Sequence, residues 1–429
     1  MSVNSLSMAV LFALIAGPAL AQELQGMSLQ FTLNTLFIVI CGILVMWMAA
    51  GFAMVEAGFV RAKNVVNQCA KNMGLFAISS LCFFGFGYGM MFPGDDWILP
   101  GILGHSGSLD IGPVASAGTD FGTKENSTAA GLFLQMMFCA TIASIVSGAL
   151  AERMKLIPFF IFTAVLTAII FPIQASWSWG GGFLTTQLGF VDLAGSTVIH
   201  VAGGVAALTG SIVVGARTGR YVGGVKIPMT NFNLPIATLG AFILWMGWFG
   251  FNAGSYLSFS LDADATNVSR ILLNTNLAGA SGVLGAAIVS YTRFNRFDLS
   301  FMINGALAGL VSITAEPLFA TPFLAMIIGI GGGVIVVWGV VLLDALEIDD
   351  VVGAIPVHLF AGIWGTLAVA LSNPDATILG QALSLVIVMV FMGATTLATW
   401  FVLNAAIGVR VSSESEEIGT DHAEMVAGV

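Results

Sequence analysis

Apolar residues run along this chain in stretches of about 20, the length at which a helix crosses the hydrocarbon core of a bilayer. After residue 28 eleven such stretches recur, near 29–57, 72–92, 128–151, 157–178, 193–216, 232–256, 271–291, 298–315, 323–343, 351–372 and 379–408. Short polar segments separate them, and the longest, 93–127, is rich in Gly, Ser and Asp. The pattern predicts an all-α polytopic membrane protein of eleven transmembrane helices with no inserted soluble domain.

Basic residues orient the spans. Arg61 and Lys63 follow span 1, and Arg153 and Lys155 follow span 3. Arg217, Arg220 and Lys226 follow span 5, Arg293 and Arg296 follow span 7, and Arg410 follows span 11. Only Lys124 and Arg270 fall in loops of the other parity. The positive-inside rule places these odd-numbered ends in the cytoplasm, with the N-terminus outside and the C-terminus inside. The loop "DALEIDD" at 344–350 is acidic where bases are expected, so that crossing rests on parity alone. The first 21 residues, ending "AGPALA", read as a secretory signal cleaved before Gln22, although no Lys or Arg precedes the apolar run. Three segments follow: a leader 1–21, a membrane domain 22–408 and a cytoplasmic tail 409–429.

Composition agrees with this class. The 429 residues are 57% hydrophobic and 8% charged, against roughly 25% charged in a soluble domain. The net charge of −10 comes mostly from loops and tail, and no basic patch points to nucleic acid. The four cysteines lie in or beside spans, match no metal or redox spacing, and read as packing residues. Many of the 52 glycines stand at small-xxx-small spacing, which suits closely packed membrane helices. The run "GIGGGV" at 329–334 lies mid-span with no strand before it, so it is not a dinucleotide fingerprint.

Eleven spans accommodate two five-helix halves of opposite orientation plus a C-terminal helix. Inverted repeats of this kind place a transport site at the repeat interface. Two echoes support it. Ile199-His200-Val201 with Gly204-Val205 resembles Val357-His358-Leu359 with Gly362-Ile363, on spans 5 and 10. Gly51-Phe52 on span 1 resembles Gly250-Phe251 on span 6.

The two histidines are the chemical anomaly. At 1.5 Å per residue His200 lies roughly 6 Å outside the midplane and His358 roughly 5 Å inside it. An ionisable residue at that depth is expensive and usually faces a bundle interior or a pathway. A lone histidine would as readily be a packing residue bonded to a carbonyl; two at matching places in opposed helices favour a site. Close imidazoles in low dielectric hold at most one extra proton between them, which they can exchange with a passing weak acid. Aromatic and hydroxyl groups gather on the outer side: Phe138, Trp179, Phe251 and Ser255. Together they can recruit a small cation by cation–π attraction and hydrogen bonding, although each alone reads as packing or interfacial belt. Asp192, ahead of span 5, reads first as a helix cap and second as a cation attractor. Glu56, five residues before Arg61, reads as the partner of a nearby base.

These residues together resemble the ammonium transporter family, the Amt/Mep/Rh superfamily, in its bacterial Amt type. The resemblance covers about residues 29–420. It is carried by "GFVRAKN", "GALAERM", "WGGG", "DLAGSTVIHVAGG", "NLPIATLGAFILWMGWFGFNAGS" and "VHLFAGIWGTLAV". It implies a homotrimer of eleven-helix subunits in the bacterial inner membrane, one pore per subunit, with no cofactor and no metal. It implies that His200 and His358 are the twin histidines of the pore and that Phe138 and Phe251 are its stacked phenylalanine gate. Trp179 and Ser255 then match the ammonium recruitment site, and Asp192 the aspartate behind it. It implies a PII-type regulatory protein docking on the cytoplasmic face. Leu134 stands where the family often carries an aromatic residue, "TNF" stands before "NLP" where "PH" is frequent, and the end of the tail diverges.

The expected function is therefore transport of ammonium, with methylammonium as a related substrate, and not enzymatic catalysis. Two rivals differ in class. An ammonium sensor would need a cytoplasmic partner, because some twenty tail residues hold no signalling domain. An intramembrane metalloenzyme would need more than two histidines, since catalytic zinc uses three protein ligands.

Overall fold

The computed structural model describes the backbone of residues 3–106 and 126–425, and the side chains of these from residue 29 onward. The expected leader with its cleavage site, and Lys124, lie outside the residues described in that detail. The chain is helical nearly throughout. Among the described residues nine helices are long and apolar enough to cross a bilayer: Leu29–Phe59, Ala62–Met91, Thr128–Ala149, Leu156–Ser176, Ser196–Val214, Leu234–Gly254, Asp262–Phe294, Pro322–Ala345 and Ile378–Ile407. Two shorter apolar helices, Leu299–Thr314 and Pro356–Leu371, complete eleven. In chain order they are spans 1 to 11, span 1 being the membrane part of a helix that runs Val3–Phe59.

Two spans begin well before the apolar pattern predicts. Span 2 starts at Ala62 rather than near 72, and its first turns carry Asn67, Gln68, Lys71 and Asn72, all buried. These polar side chains point into the bundle, so hydropathy underestimates the helix. Span 7 starts at Asp262 rather than near 271. Its extra turns are anchored by Asp264, whose Oδ2 accepts from the Ser258 hydroxyl at 2.7 Å and from the Ser260 and Leu261 N–H groups at 3.0 Å.

Glycine sets how the two halves meet. Spans 1 and 6 run antiparallel along each other. A Cβ on Gly58 would sit 2.6 Å from the Ala237 nitrogen, one on Gly240 2.5 Å from the Val55 nitrogen, and one on Gly250 2.7 Å from the Cys41 carbonyl. Spans 5 and 10 cross as tightly: a Cβ on Gly204 would lie 2.6 Å from the Leu359 nitrogen, and one on Gly362 2.8 Å from the Ser196 carbonyl. In a membrane, where lipid is as apolar as leucine, such backbone proximity maximises the dispersion contacts that drive helix association. The echoes at Gly51-Phe52 and Gly250-Phe251, and at Gly204 and Gly362, are thus the contact points between repeats. The cysteines are unpaired among the described residues, with Cys41 and Cys139 buried in the packing.

One end of the bundle collects the bases. Glu152 takes Arg61 at 2.5 Å and Arg217 at 3.1 Å, and Arg217 also reaches Asp349 at 2.7 Å. Asp344 pairs with Arg220 at 3.3 Å and Lys226 at 2.5 Å. The acidic loop 344–350 therefore lies among the bases of the 217–226 loop, and neutralises them. Burial opposes the charge on Asp349, but the Arg153 and Arg217 guanidiniums outweigh it and hold the carboxyl well below the usual carboxylate range. The tail straps across this same end. Glu416 accepts from Arg410 at 2.7 Å and from the Thr218 N–H at 2.6 Å. Asp421 accepts the Asn67 N–H at 2.7 Å, and Glu424 the Leu156 N–H at 3.1 Å.

The tight crossing of spans 1 and 6 makes a stability prediction. Gly240→Ala forces the helices apart and is expected to cost about 1–3 kcal/mol, read as a lowered thermal midpoint in detergent. Gly131→Ala, where a Cβ meets nothing within 4 Å among the described residues, is the neutral control. Equal midpoints for the two variants would show that the crossing has slack.

Candidate functional site

The site lies where spans 5 and 10 cross. Each histidine sits in the first turns of its span, in a π-helical segment: Ser196–Val201 for His200 and Pro356–Phe360 for His358. Widened turns of this kind are rare and frequent at functional sites. The two Nδ1 atoms are 3.2 Å apart, and the ring centroids 5.1 Å apart with planes at 22°. Both rings are buried. An Nδ1-to-Nδ1 bridge needs one donor and one acceptor, so the neutral pair shares one hydrogen in the bridge and carries the other on a distal Nε2. His200 Nε2 has no protein partner among the described residues.

An aspartate cap holds each histidine-bearing turn. Asp192 Oδ1 accepts from the N–H groups of Gly195 and Ser196, at 2.9 and 2.8 Å, and Oδ2 from those of Thr197 and Val198, at 2.8 and 2.9 Å. Four orphan donors of a helix start are satisfied by one carboxylate. Asp350 does the same for span 10, with Oδ1 accepting from Gly353 and Ala354 at 3.0 and 3.1 Å and Oδ2 from Ile355 at 2.7 Å. Burial pushes each carboxyl up to about 6, against the backbone donors that favour the ionised form. Asp192 and Asp350 each stand eight residues before their histidine. That repeated spacing was the signal for Asp350, which the apolar pattern alone left as one acid in an acidic loop.

Aromatic rings continue from the histidine pair in a run of contacts. Phe251 lies 5.5 Å from His200, ring to ring, and Trp248 lies 5.1 Å from it. Trp248 is fixed by its indole N–H, which donates to Thr314 Oγ1 at 2.8 Å. Phe138 meets Phe251 at 4.4 Å and Trp179 at 5.9 Å. The two phenyl planes are tilted by 44° rather than parallel. Trp179 is half-buried, and its indole N–H donates to the Asp192 carbonyl at 2.8 Å. Ser255, one turn beyond Phe251 and also half-buried, donates to the Phe251 carbonyl at 2.9 Å. Leu134 is fully buried. On the other side of the pair Phe52 lies 6.4 Å from His358, as Phe251 does beside His200.

The sequence therefore nominated a set of rings that the fold brings together: Trp179, Phe138, Phe251, His200 and His358. Asp192 is a cap, the role favoured from the sequence. Missed were Phe52, Trp248 and Asp350. Beneath His358 is a cavity of about 20 Å³, space for one water-sized molecule, with Phe52, Glu56 and Leu307 among its walls. Glu56 does not pair with Arg61, which is taken by Glu152. Its Oε2 instead accepts from Gln68 Nε2, from Ser147 Oγ at 2.8 Å and from Asn72 Nδ2 at 3.0 Å.

This arrangement has counterparts. Residues 36–427 match the Ammonium Transporter Family. The ammonium transporter Amt2 of Archaeoglobus fulgidus is 40% identical, over 93% of this chain and 88% of that protein. The ammonium transporter of Bacillus subtilis is 33% identical, over 90% of this chain and 96% of that protein. Among solved structures, one described as a sensor Amt protein superimposes with a TM-score of 0.86 at 34% identity, covering 93% of this chain and all of that one. Mep2 of Candida albicans shares the fold, with a TM-score of 0.79 at 24% identity over 91% and 88% of the two chains. By its sequence, its eleven-helix architecture and these relatives, this integral membrane chain belongs to the ammonium transporter family and transports ammonium.

Proposed function

We propose that ammonium is recruited beside Trp179 and Ser255, passes Phe138 and Phe251, and is deprotonated next to the histidine pair, so that ammonia crosses the dry constriction. The supporting observation is the buried 3.2 Å contact between His200 and His358, joined to the three outer rings by successive ring contacts. Ammonium and potassium match in charge and nearly in size, so a simple cation pore would pass both. Stripping water from a bare ion in an apolar passage costs many kcal/mol. Ammonium escapes that cost by leaving its proton, and potassium has none to leave. The histidine pair holds one extra proton at a time, so deprotonation and relay alternate. Methylammonium is a second substrate of the same chemistry.

The same reading sets the surroundings. The chain is a homotrimer in the bacterial inner membrane, N-terminus outside after removal of residues 1–21 and C-terminus cytoplasmic. The gathering of bases at one end of the bundle supports that orientation. The membrane domain runs 22–408, and the tail 409–429 offers the cytoplasmic face to a PII-type protein.

His200→Ala removes the proton acceptor and opens the constriction. In proteoliposomes on a solid-supported membrane the variant is expected to lower the ammonium-to-potassium current ratio at least about tenfold, a barrier change of ~1.4 kcal/mol. A ratio equal to that of the unmodified protein would sink the proton-exchange role.

A second reading is favoured by the likeness to a sensor Amt protein: ammonium occupancy is reported to a partner through the tail. Removal of residues 409–429 separates the two. Transport as the main role predicts reduced uptake, because the strap that ties spans 2 and 4 to the loop after span 5 is lost. Sensing predicts intact uptake with loss of the nitrogen response in cells.

A further inference from the structure

Glu56 is a carboxylate with an unequal environment. It is 1% exposed, near the inner end of span 1. All three of its donors, Gln68, Asn72 and Ser147, converge on Oε2. Oε1 has no hydrogen-bond partner among the described residues. A carboxylate kept only to tie helices together would use both oxygens, since a buried unpaired acceptor costs about 1–3 kcal/mol. Here the side chain forms part of the wall of the small cavity that His358 also lines. The charged and titratable groups that face it are Lys71 and Cys69 from span 2 and His358 from span 10. Lys71 gives its ammonium to the Ser147 carbonyl at 2.8 Å.

Asn304, Val352 and Gly353 line this cavity and also line a wider vestibule of about 250 Å³ at the base-rich end. Gly148 lines the small cavity too, and a Cβ there would lie 2.5 Å from Val352 Cγ2 and 3.5 Å from the Glu56 Cγ. Glu56, with its unpartnered Oε1, and His358 thus line one small cavity, and three other residues of its wall also line the vestibule.

We propose that Glu56 is the proton acceptor on the inner side of the histidine pair, taking the proton from His358 through a molecule in this cavity and returning it to ammonia that follows into the same cavity. The inference rests on the proton-exchange reading above. The Nε2–H bond of the His358 imidazolium breaks, a water or ammonia in the cavity carries the proton, and an O–H bond forms at Glu56 Oε1. The neutral acid then protonates ammonia that has passed the constriction, which restores the carboxylate and yields ammonium. One ammonium enters and one leaves, with no redox change.

Purified full-length protein in proteoliposomes tests this by ammonium-evoked current. Glu56→Gln keeps the shape and an accepting oxygen but cannot take up the proton, and is expected to cut the current at least tenfold. Glu56→Asp keeps an acid and is expected to retain a measurable fraction. A Glu56→Gln current within twofold of the unmodified protein overturns the proposal. Should that variant not fold, as judged by gel filtration and thermal midpoint, Ser147→Ala replaces it. That change removes one donor that favours the ionised carboxylate, so the pH profile of the current is expected to move to higher pH, and an unmoved profile overturns the proposal. If the unmodified protein itself carries no current selective for ammonium over potassium, the proton-exchange reading fails. If it does and Glu56→Gln matches it, only the role of Glu56 falls.

Discussion

Two imidazoles meeting nitrogen to nitrogen inside a membrane bundle are the contact on which the rest of this structure depends. Spans 5 and 10 must cross with almost no side chain between them for the rings to come within 3.2 Å. Gly204 and Gly362, each four residues after its histidine, allow that crossing. The histidine turns are widened, so they do not follow regular helix geometry, and their first N–H groups have no helical carbonyl to bond. Asp192 and Asp350 supply the acceptors. Caps, widened turns and glycines are therefore one device, used twice in opposed directions.

Much of this was legible in the chain because membrane burial leaves strong marks. Apolar runs of spanning length located the helices, and two histidines at matching places in opposed runs favoured a site over packing. The basic residues also marked one end of the bundle correctly as a unit, since the acidic loop 344–350 lies among them. What stayed hidden was polar residues that face inward. The start of span 2 looks like a loop by hydropathy because Asn67, Gln68, Lys71 and Asn72 are polar. Their partners are distant in sequence, such as Ser147 and the tail residue Asp421. Glu56 was misread for the same reason. Arg61, the base beside it in sequence, turns to Glu152, while the groups that hold Glu56 lie on two other helices.

The aromatic residues show the complementary difficulty. Phe52 and Phe251 occupy equivalent places in the two repeats, and each lies beside one histidine. Periodicity cannot separate such rings from ordinary core packing, because both are apolar and buried. Only the echo of Gly51-Phe52 in Gly250-Phe251 hinted at it. The tilt between Phe138 and Phe251 is likewise a product of tertiary packing: it depends on how spans 3 and 6 approach, which no local pattern records.

The repeats are alike at the histidines and unlike beyond them, and that difference gives the site a direction. Outside Phe251 come Phe138 and Trp179, aromatic rings in contact with one another. Inside Phe52 comes Glu56, an acid with one oxygen unpartnered among the described residues, in the wall of a cavity that a single small molecule fills. A cation attracted by aromatic faces and a proton attracted by a carboxylate are different cargoes. A scaffold that is symmetric at its centre, and carries rings on one side and an acid on the other, is what the proposed mechanism asks for, in which ammonium arrives whole and its proton and ammonia travel the last stretch apart. Pseudo-symmetry fixes the crossing point, where geometry must be tight, and the departures from it lie at the two mouths, where the chemistry differs.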